Sequence, residues 1–203
     1  MIKRPIFITG IGTGIGKTIV SAVMVEKLKA DYWKPIQSGD LENSDTAHVR
    51  SLVSNKTTIF HPEAYRLTQP FSPHKSAAID GIQIDPEQII LPETNNQLII
   101  EGAGGLMVPL NEDFLIIDLI KKLDAEVILV SKNYLGSINH TLLSVEILKM
   151  RKIKINKIVF CGDQDLSSER VISHYSNCDL IHVPQFNPLN STSILKFASD
   201  LDF

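Results

Sequence analysis

Short apolar runs alternate along the chain with longer stretches in which apolar positions recur every three or four residues. The first run, Pro5-Ile6-Phe7-Ile8, reads as a buried strand, and Ile19–Leu28 reads as a helix apolar around much of its circumference, packed on a sheet. Asp31–Ile36 reads as a second strand, with Pro35 ending regular pairing there. Asn43-Ser44-Asp45 starts a helix running through Ala47, Val49 and Leu52. From about Asn55 to Asn96 the pattern fades and prolines punctuate the chain, so that stretch reads as a long loop. Regularity returns with Gln97–Ile100, an apolar strand closed by Glu101 and a glycine-rich turn. Asp113–Leu123 has helical spacing, and Ala125–Ser131 is a continuous apolar run of the kind a parallel sheet buries on both faces. Leu135–His140 leads into a long helix with Ser137 as N-cap; then come a strand (Ile155–Cys161), a helix (Ser167–Ser176), a short strand (Leu180–Val183) and a closing helix (Ser191–Leu201). Strands alternating with helices predict an α/β fold, a three-layer sandwich around a mostly parallel sheet.

At 203 residues and 43% hydrophobic, the chain suits one domain with a substantial core, here taken as 1–203. A net charge of −3 without a basic block favours neither nucleic acid nor a membrane surface. Two cysteines, Cys161 and Cys178, are too few for a disulfide framework. No apolar run approaches the roughly 20 residues of a membrane span, and the chain enters a strand almost at once, with no room for a signal peptide. The expected setting is a soluble cytoplasmic protein.

The chemistry concentrates after the first strand. Gly10, Gly12, Gly14 and Gly16 allow a tight turn whose N–H groups converge on an anion, and the helix that follows directs its positive end to the same spot. Lys17 adds a point charge for the outer phosphates, and Thr18 offers a hydroxyl to magnesium. The spacing is unusual, because Ile11 stands where the common phosphate-loop pattern would need glycine; a turn that binds nothing is the competing reading. Strand, loop, Gly-Lys-Thr and helix in that order favour a phosphate loop. Lys34, at the end of an apolar strand, is either a surface lysine or a second phosphate-facing cation. By spacing alone, Ser44 or Asp45 is an N-cap. Glu101, beside Gly102-Ala103-Gly104-Gly105, is the expected metal-holding partner of the loop rather than an ordinary strand-end acid. His74, alone in a loop, carries little weight.

Taken together, Gly10–Thr18, the segment Tyr32-Trp33-Lys34-Pro35-Ile36-Gln37-Ser38-Gly39, Asn43-Ser44-Asp45, Ser72-Pro73-His74, Glu101–Gly105 and Leu135–His140 resemble the dethiobiotin synthetase family, from the first strand to about Pro184. The resemblance implies a P-loop NTPase-like fold, ATP as co-substrate and Mg2+ as cofactor. It also implies the closure of 7,8-diaminononanoate and CO2 into a cyclic urea. An amine captures CO2 as a carbamate, the carbamate attacks the γ-phosphate, and the second amine closes the ring and expels phosphate.

Carried over by position, the resemblance implies Lys34 as the catalytic lysine, with Lys17 and Thr13 beside it. It implies a nucleotide site of Gly14, Ile15, Gly16, Lys17, Thr18 and Ile19, with Asp45, Glu101, Gly102, Ala103 and Gly104, and Pro184, Gln185 and Phe186 at the base. Thr18, Asp45 and Glu101 are the implied metal ligands, which overturns an N-cap role for Asp45. Thr13 and Ser38 lie near the substrate nitrogens, and Leu135, Gly136, Ser137 and Asn139 receive the substrate carboxylate at a helix N-terminus across a homodimer interface. The sequence departs from the family at Gly14, where an acid is common, and at Phe160-Cys161-Gly162-Asp163, where an asparagine usually reads adenine. That departure predicts weak discrimination among nucleoside triphosphates. The nearest rivals are a partitioning-type P-loop ATPase, a related amide-forming ligase with a further glutaminase domain, and a nucleotide-dependent switch.

Overall fold

The computed structural model describes residues 4–203. Seven strands form one sheet: β1 (Ile6–Gly10), β2 (Asp31–Trp33), β4 (Phe60–His61), β6 (Leu98–Gly105), β7 (Glu126–Ser131), β8 (Ile155–Cys161) and β9 (Leu180–Val183). Their order across the sheet is β4-β2-β6-β1-β7-β8-β9, and every pairing is parallel. A separate two-stranded parallel sheet joins β3 (Ile36–Ser38) to β5 (Tyr65–Leu67).

Strand alternation divides the apolar residues between two cores. Phe7, Leu98, Ile100, Val127, Leu129, Ile158 and Phe160 face one side. They meet α4 (Ile116–Lys122), α5 (Ser137–Met150) and α6 (Leu166–Ser176) there. Ile6, Ile8, Ile99, Ile128, Val130, Val159 and Val183 face the other. They meet α1 (Lys17–Leu28), α2 (Asp45–Leu52) and α7 (Ser191–Asp200). Two buried faces explain why these strands are apolar throughout instead of alternating with polar residues. Each fully buried aliphatic side chain contributes about 1.5–3 kcal/mol. From β1 the chain steps past β6 to β2; after β6 it crosses back over β1 to β7 and continues to β8 and β9. The path reverses beside β1, so a crevice opens at the carboxyl ends of β1 and β6, the place where open α/β sheets take ligands.

Four expectations need correction. The strand expected over Asp31–Ile36 is two strands in different sheets: it breaks at Lys34-Pro35, where proline cannot donate to the ladder. The stretch from Asn55 to Asn96 is not one loop; it holds β4, β5, α3 (Pro73–Ile79) and a 3-10 turn at Pro86–Gln88. Its strands are two or three residues long and pair with partners distant in sequence, too short for a period to register. The glycine-rich turn after Glu101 is strand: β6 continues to Gly105, where a Cβ would stand 3.1 Å from the Gly10 carbonyl oxygen. Ser137 is not the N-cap of α5. That position is Gly136, at φ 99°, a left-handed backbone that other residues resist, and Ser137 accepts instead from the Tyr134 N–H at 3.3 Å.

Candidate active site

The phosphate loop links the end of β1 to α1. Ile15 folds beneath it and is buried; a Cβ on Gly10 would fall 2.1 Å from Ile15 Cδ1, so Ile15 plugs the loop and only its backbone is turned to the crevice. Gly16 has φ 99°, and a Cβ there would stand 2.4 Å from Cys161 Sγ at the end of β8. Among the described residues, no backbone N–H from Gly12 to Ile19 donates to a protein acceptor. A helix start with unpaired donors is an anion site.

Around this loop lies a cleft of about 770 Å³. Thr13, Gly14, Gly16, Lys17, Thr18 and Ile19 line one wall. Lys34 comes from the β2–β3 connection, Ser38 from the end of β3, Asp45 from the start of α2, and Glu101, Gly102, Ala103 and Gly104 from β6. Residues far apart in sequence therefore meet. Thr18 Oγ1 lies 2.9 Å from Asp45 Oδ1 and 3.0 Å from Glu101 Oε1. One hydroxyl proton serves two carboxylates, which leaves this oxygen cluster short of positive charge. Lys34 Nζ supplies some, 2.7 Å from Asp45 Oδ2 and 3.5 Å from Glu101 Oε1. Lys17 Nζ folds back onto the Gly12 carbonyl at 2.9 Å.

These groups set each other's protonation. Burial works against the Lys34 charge, yet the Glu101 and Asp45 carboxylates outweigh it and hold the ammonium above the ordinary lysine value. Burial also works against the Asp45 charge, and Lys34 and Thr18 overcome it to hold this carboxyl below its ordinary value. For Lys17 burial wins over attraction to Glu101, and its ammonium binds the proton less tightly than a free lysine. Two cations and two anions sit in a low-dielectric crevice, balanced among themselves.

The N-cap question resolves in favour of Ser44, whose hydroxyl accepts from the Ala47 N–H at 3.3 Å. The Asp45 carboxylate is thereby free to face Thr18 and Lys34. Among the described residues the buried Ser38 hydroxyl has no partner, an orphan polar group at the cleft wall. The remaining expected residues stand outside this cleft. Leu135, Gly136, Ser137 and Asn139 lie at the start of α5; Leu135 is 103% exposed, and Gly136 offers no side-chain cap. Pro184, Gln185 and Phe186 follow β9 at the same end of the sheet, with Phe186 set edge-on against Phe197 of α7 at 5.6 Å. Of Ser72-Pro73-His74, the first two line the cleft and His74 is exposed.

Sequence reasoning missed three supporting residues. Tyr32 donates to Glu101 Oε2 at 3.0 Å; its place in β2, two residues before Lys34, was the available signal. Gln37 accepts from the Asp45 N–H at 3.3 Å and donates to the Gly39 carbonyl at 2.9 Å, tying the β3 end to the start of α2. Phe71, half-exposed, also lines the cleft, a placement that no local pattern announces.

Residues 4–193 match the family described as an AAA domain. Over 190 residues, 94% of this chain and 91% of the relative, the sequence is 53% identical to the ATP-dependent dethiobiotin synthetase BioD of Christiangramia forsetii. It is 49% identical to the protein of that name from Cytophaga hutchinsonii, over 96% of this chain and 95% of the relative. Among solved structures, the ParA family ATPase from Chlorobium tepidum superposes with a TM-score of 0.57 at 15% identity, covering 98% of this chain and 100% of that one. The MinC:MinD cell division protein complex of Aquifex aeolicus gives 0.59 at 15%, covering 97% and 95%. Those two share the fold. Identity at about half of all positions, across nearly the whole of both chains, goes well beyond a shared fold, and the chain belongs to the ATP-dependent dethiobiotin synthetase family.

Proposed function

We propose that the protein closes 7,8-diaminononanoate and CO2 into dethiobiotin at the expense of ATP, releasing ADP and phosphate. The observation that carries this reading is the meeting of Lys17, Lys34, Thr18, Asp45 and Glu101 in one cleft that extends from the phosphate loop to Ser38. A simple ATPase needs the loop and a metal site; a second buried lysine in the same cleft, Lys34 from after β2, goes beyond that.

The chemistry has three bond exchanges. A substrate amine bonds to the carbon of CO2 and loses a proton, leaving a carbamate. A carbamate oxygen bonds to the γ-phosphorus as the bond to ADP breaks. The second amine then bonds to the carbonyl carbon of the mixed anhydride, and phosphate leaves. Carbamate and triphosphate are both anions, so bringing them together needs cations that are already in place. Lys17 and Lys34 line one cleft, which supports giving Lys34 the place between carbamate and γ-phosphate and Lys17 the phosphates. Thr13 and Ser38 would hydrogen-bond the reacting nitrogens, and for Ser38 the unpartnered hydroxyl supports this. Holding the amine, carbamate and phosphorus in line supplies several kcal/mol by itself.

Thr18, Asp45 and Glu101 suit magnesium: all offer hard oxygens, and Mg2+ is commonly held by one or two carboxylates together with substrate phosphates. When bound it supplies charge neutralisation on the transferring phosphoryl group. The uncapped start of α5 suits the substrate carboxylate, offered to the cleft of a second subunit in a homodimer. The whole chain acts as one ligase domain on small molecules in the cytoplasm, without nucleic acid or membrane partners. Among the described residues, no helix is long and apolar enough to cross a membrane. Cys161-Gly162 and the backbone near Pro184–Phe186 leave the base loosely read.

Incubation with diaminononanoate, bicarbonate, magnesium and ATP should yield dethiobiotin and phosphate in equal amounts. Phosphate without ring closure would favour the ATPase reading. With CTP and GTP added in competition, each should support turnover; strict preference for ATP would remove the inference about the base.

A further inference from the structure

Glu101 is 1% exposed, and a carboxylate so buried is costly unless both its oxygens are satisfied. Oε1 faces Thr18 at 3.0 Å and Lys34 at 3.5 Å. Among the described residues Oε2 has one partner, the phenol of Tyr32 at 3.0 Å. That phenol is itself 0% exposed, and its ring lies 5.8 Å from Phe60, tilted by 50°. A carboxylate only accepts, so the phenol must donate, and the two groups have a single compatible arrangement. Parallel pairing of β2 with β6, Tyr32 beside Ile99 and Trp33 beside Ile100, carries this contact as part of the sheet's register. The contact is thus built on rigid strands in the core, away from solvent.

We propose that Tyr32 is a positioning residue: by engaging Oε2 it fixes the plane of the Glu101 carboxylate and presents Oε1 alone toward Thr18, Asp45 and Lys34 as the metal-facing oxygen. The inference rests on the reading that Thr18, Asp45 and Glu101 hold magnesium. Without the phenol, Oε2 is a buried charged oxygen with nothing among the described residues to accept from, and the plane of the carboxylate is no longer held. Outer partners that orient a ligand in this way commonly change metal affinity by about 10–100-fold when removed.

The test uses Tyr32→Phe, which keeps the ring and removes only the hydroxyl. Binding of a fluorescent ATP analogue is titrated against magnesium, and again in EDTA. The expected result is a magnesium midpoint raised roughly tenfold or more, with metal-free nucleotide affinity within about twofold of wild type. An unchanged midpoint, or equal losses with and without metal, overturns the proposal. Thr18→Val is run beside it: if that variant moves the midpoint and Tyr32→Phe does not, the positioning role alone fails. A wild-type affinity indifferent to magnesium overturns the metal reading and this inference with it. Should Tyr32→Phe not fold, 3-fluorotyrosine at position 32 gives a 19F signal in an intact protein. That signal should move when magnesium is added to the nucleotide complex, and a signal that ignores the metal overturns the proposal.

Discussion

Lys34 is the residue at which fold and chemistry are hardest to separate. It is 3% exposed, and two carboxylates balance its charge. Removing one member of such a cluster leaves the others uncompensated, yet a metal ion can restore the balance. Lys34→Ala should therefore keep magnesium-dependent nucleotide binding nearly intact while turnover falls roughly a hundredfold or more. Near-normal turnover in a steady-state assay would take Lys34 out of the catalytic set. The two loop glycines make a sharper comparison. Gly14 has φ 68° and open space where a Cβ would go. Gly16 is left-handed too, but its Cβ would collide with Cys161 Sγ. Left-handed backbone costs about 1–2 kcal/mol for a residue with a Cβ, and Gly16→Ala adds a clash to that strain. Nucleotide affinity should fall further for Gly16→Ala than for Gly14→Ala; the reverse order in an equilibrium titration would contradict the packing argument.

At the scale of elements, the amino end of β2 is held by a buried acid. Asp31 accepts from the Ile59 N–H at 2.8 Å and from Asn96 Nδ2 at 3.0 Å, with Thr94 on its other oxygen. Burial opposes its charge, but these hydrogen bonds and nearby His61 hold the carboxyl below its ordinary value. A depressed folded-state pKa means the ionised form stabilises the fold. That contribution is whole above the unfolded value near pH 4 and is lost as pH falls through the folded value. Asp31→Asn should cost about 1–3 kcal/mol at pH 7. The gap from wild type should narrow below about pH 4. Urea denaturation across that range would show it, and a gap independent of pH would assign Asp31 a packing role only. The longer elements were legible because their patterns are local: β8 and β9 lie where their apolar runs predict, and α2 starts where its capping residues stand. The split between β2 and β3 was half legible, in Pro35; the pairing of β3 with β5 was not, because it depends on a partner nearly thirty residues away.

For the whole molecule, several of the exposed apolar residues lie on or beside α5. Leu135 precedes α5 and Leu143 lies on it, both exposed, and Met107 is exposed across the groove that α5 shares with the phosphate loop. Apolar side chains grouped in this way suggest a covered face. A homodimer through this face would leave the start of α5 open to the partner's cleft. If the proposed homodimer forms through this face, Leu143→Glu should shift it to single chains in sedimentation and lower the rate of ring closure; a variant that stays dimeric and fully active would move the interface elsewhere.

By itself the sequence determined the layered architecture, the phosphate loop and the identity of the charged residues, because periodicity, glycine spacing and residue chemistry are carried by neighbours in the chain. Tertiary structure decided that Ser44 caps the helix while Asp45 faces the lysine, which tyrosine stands behind Glu101, and where Cys161 meets Gly16. Those are contacts between segments brought together only by the order and register of the parallel strands, and distances of 3 Å across such gaps leave no mark on local sequence.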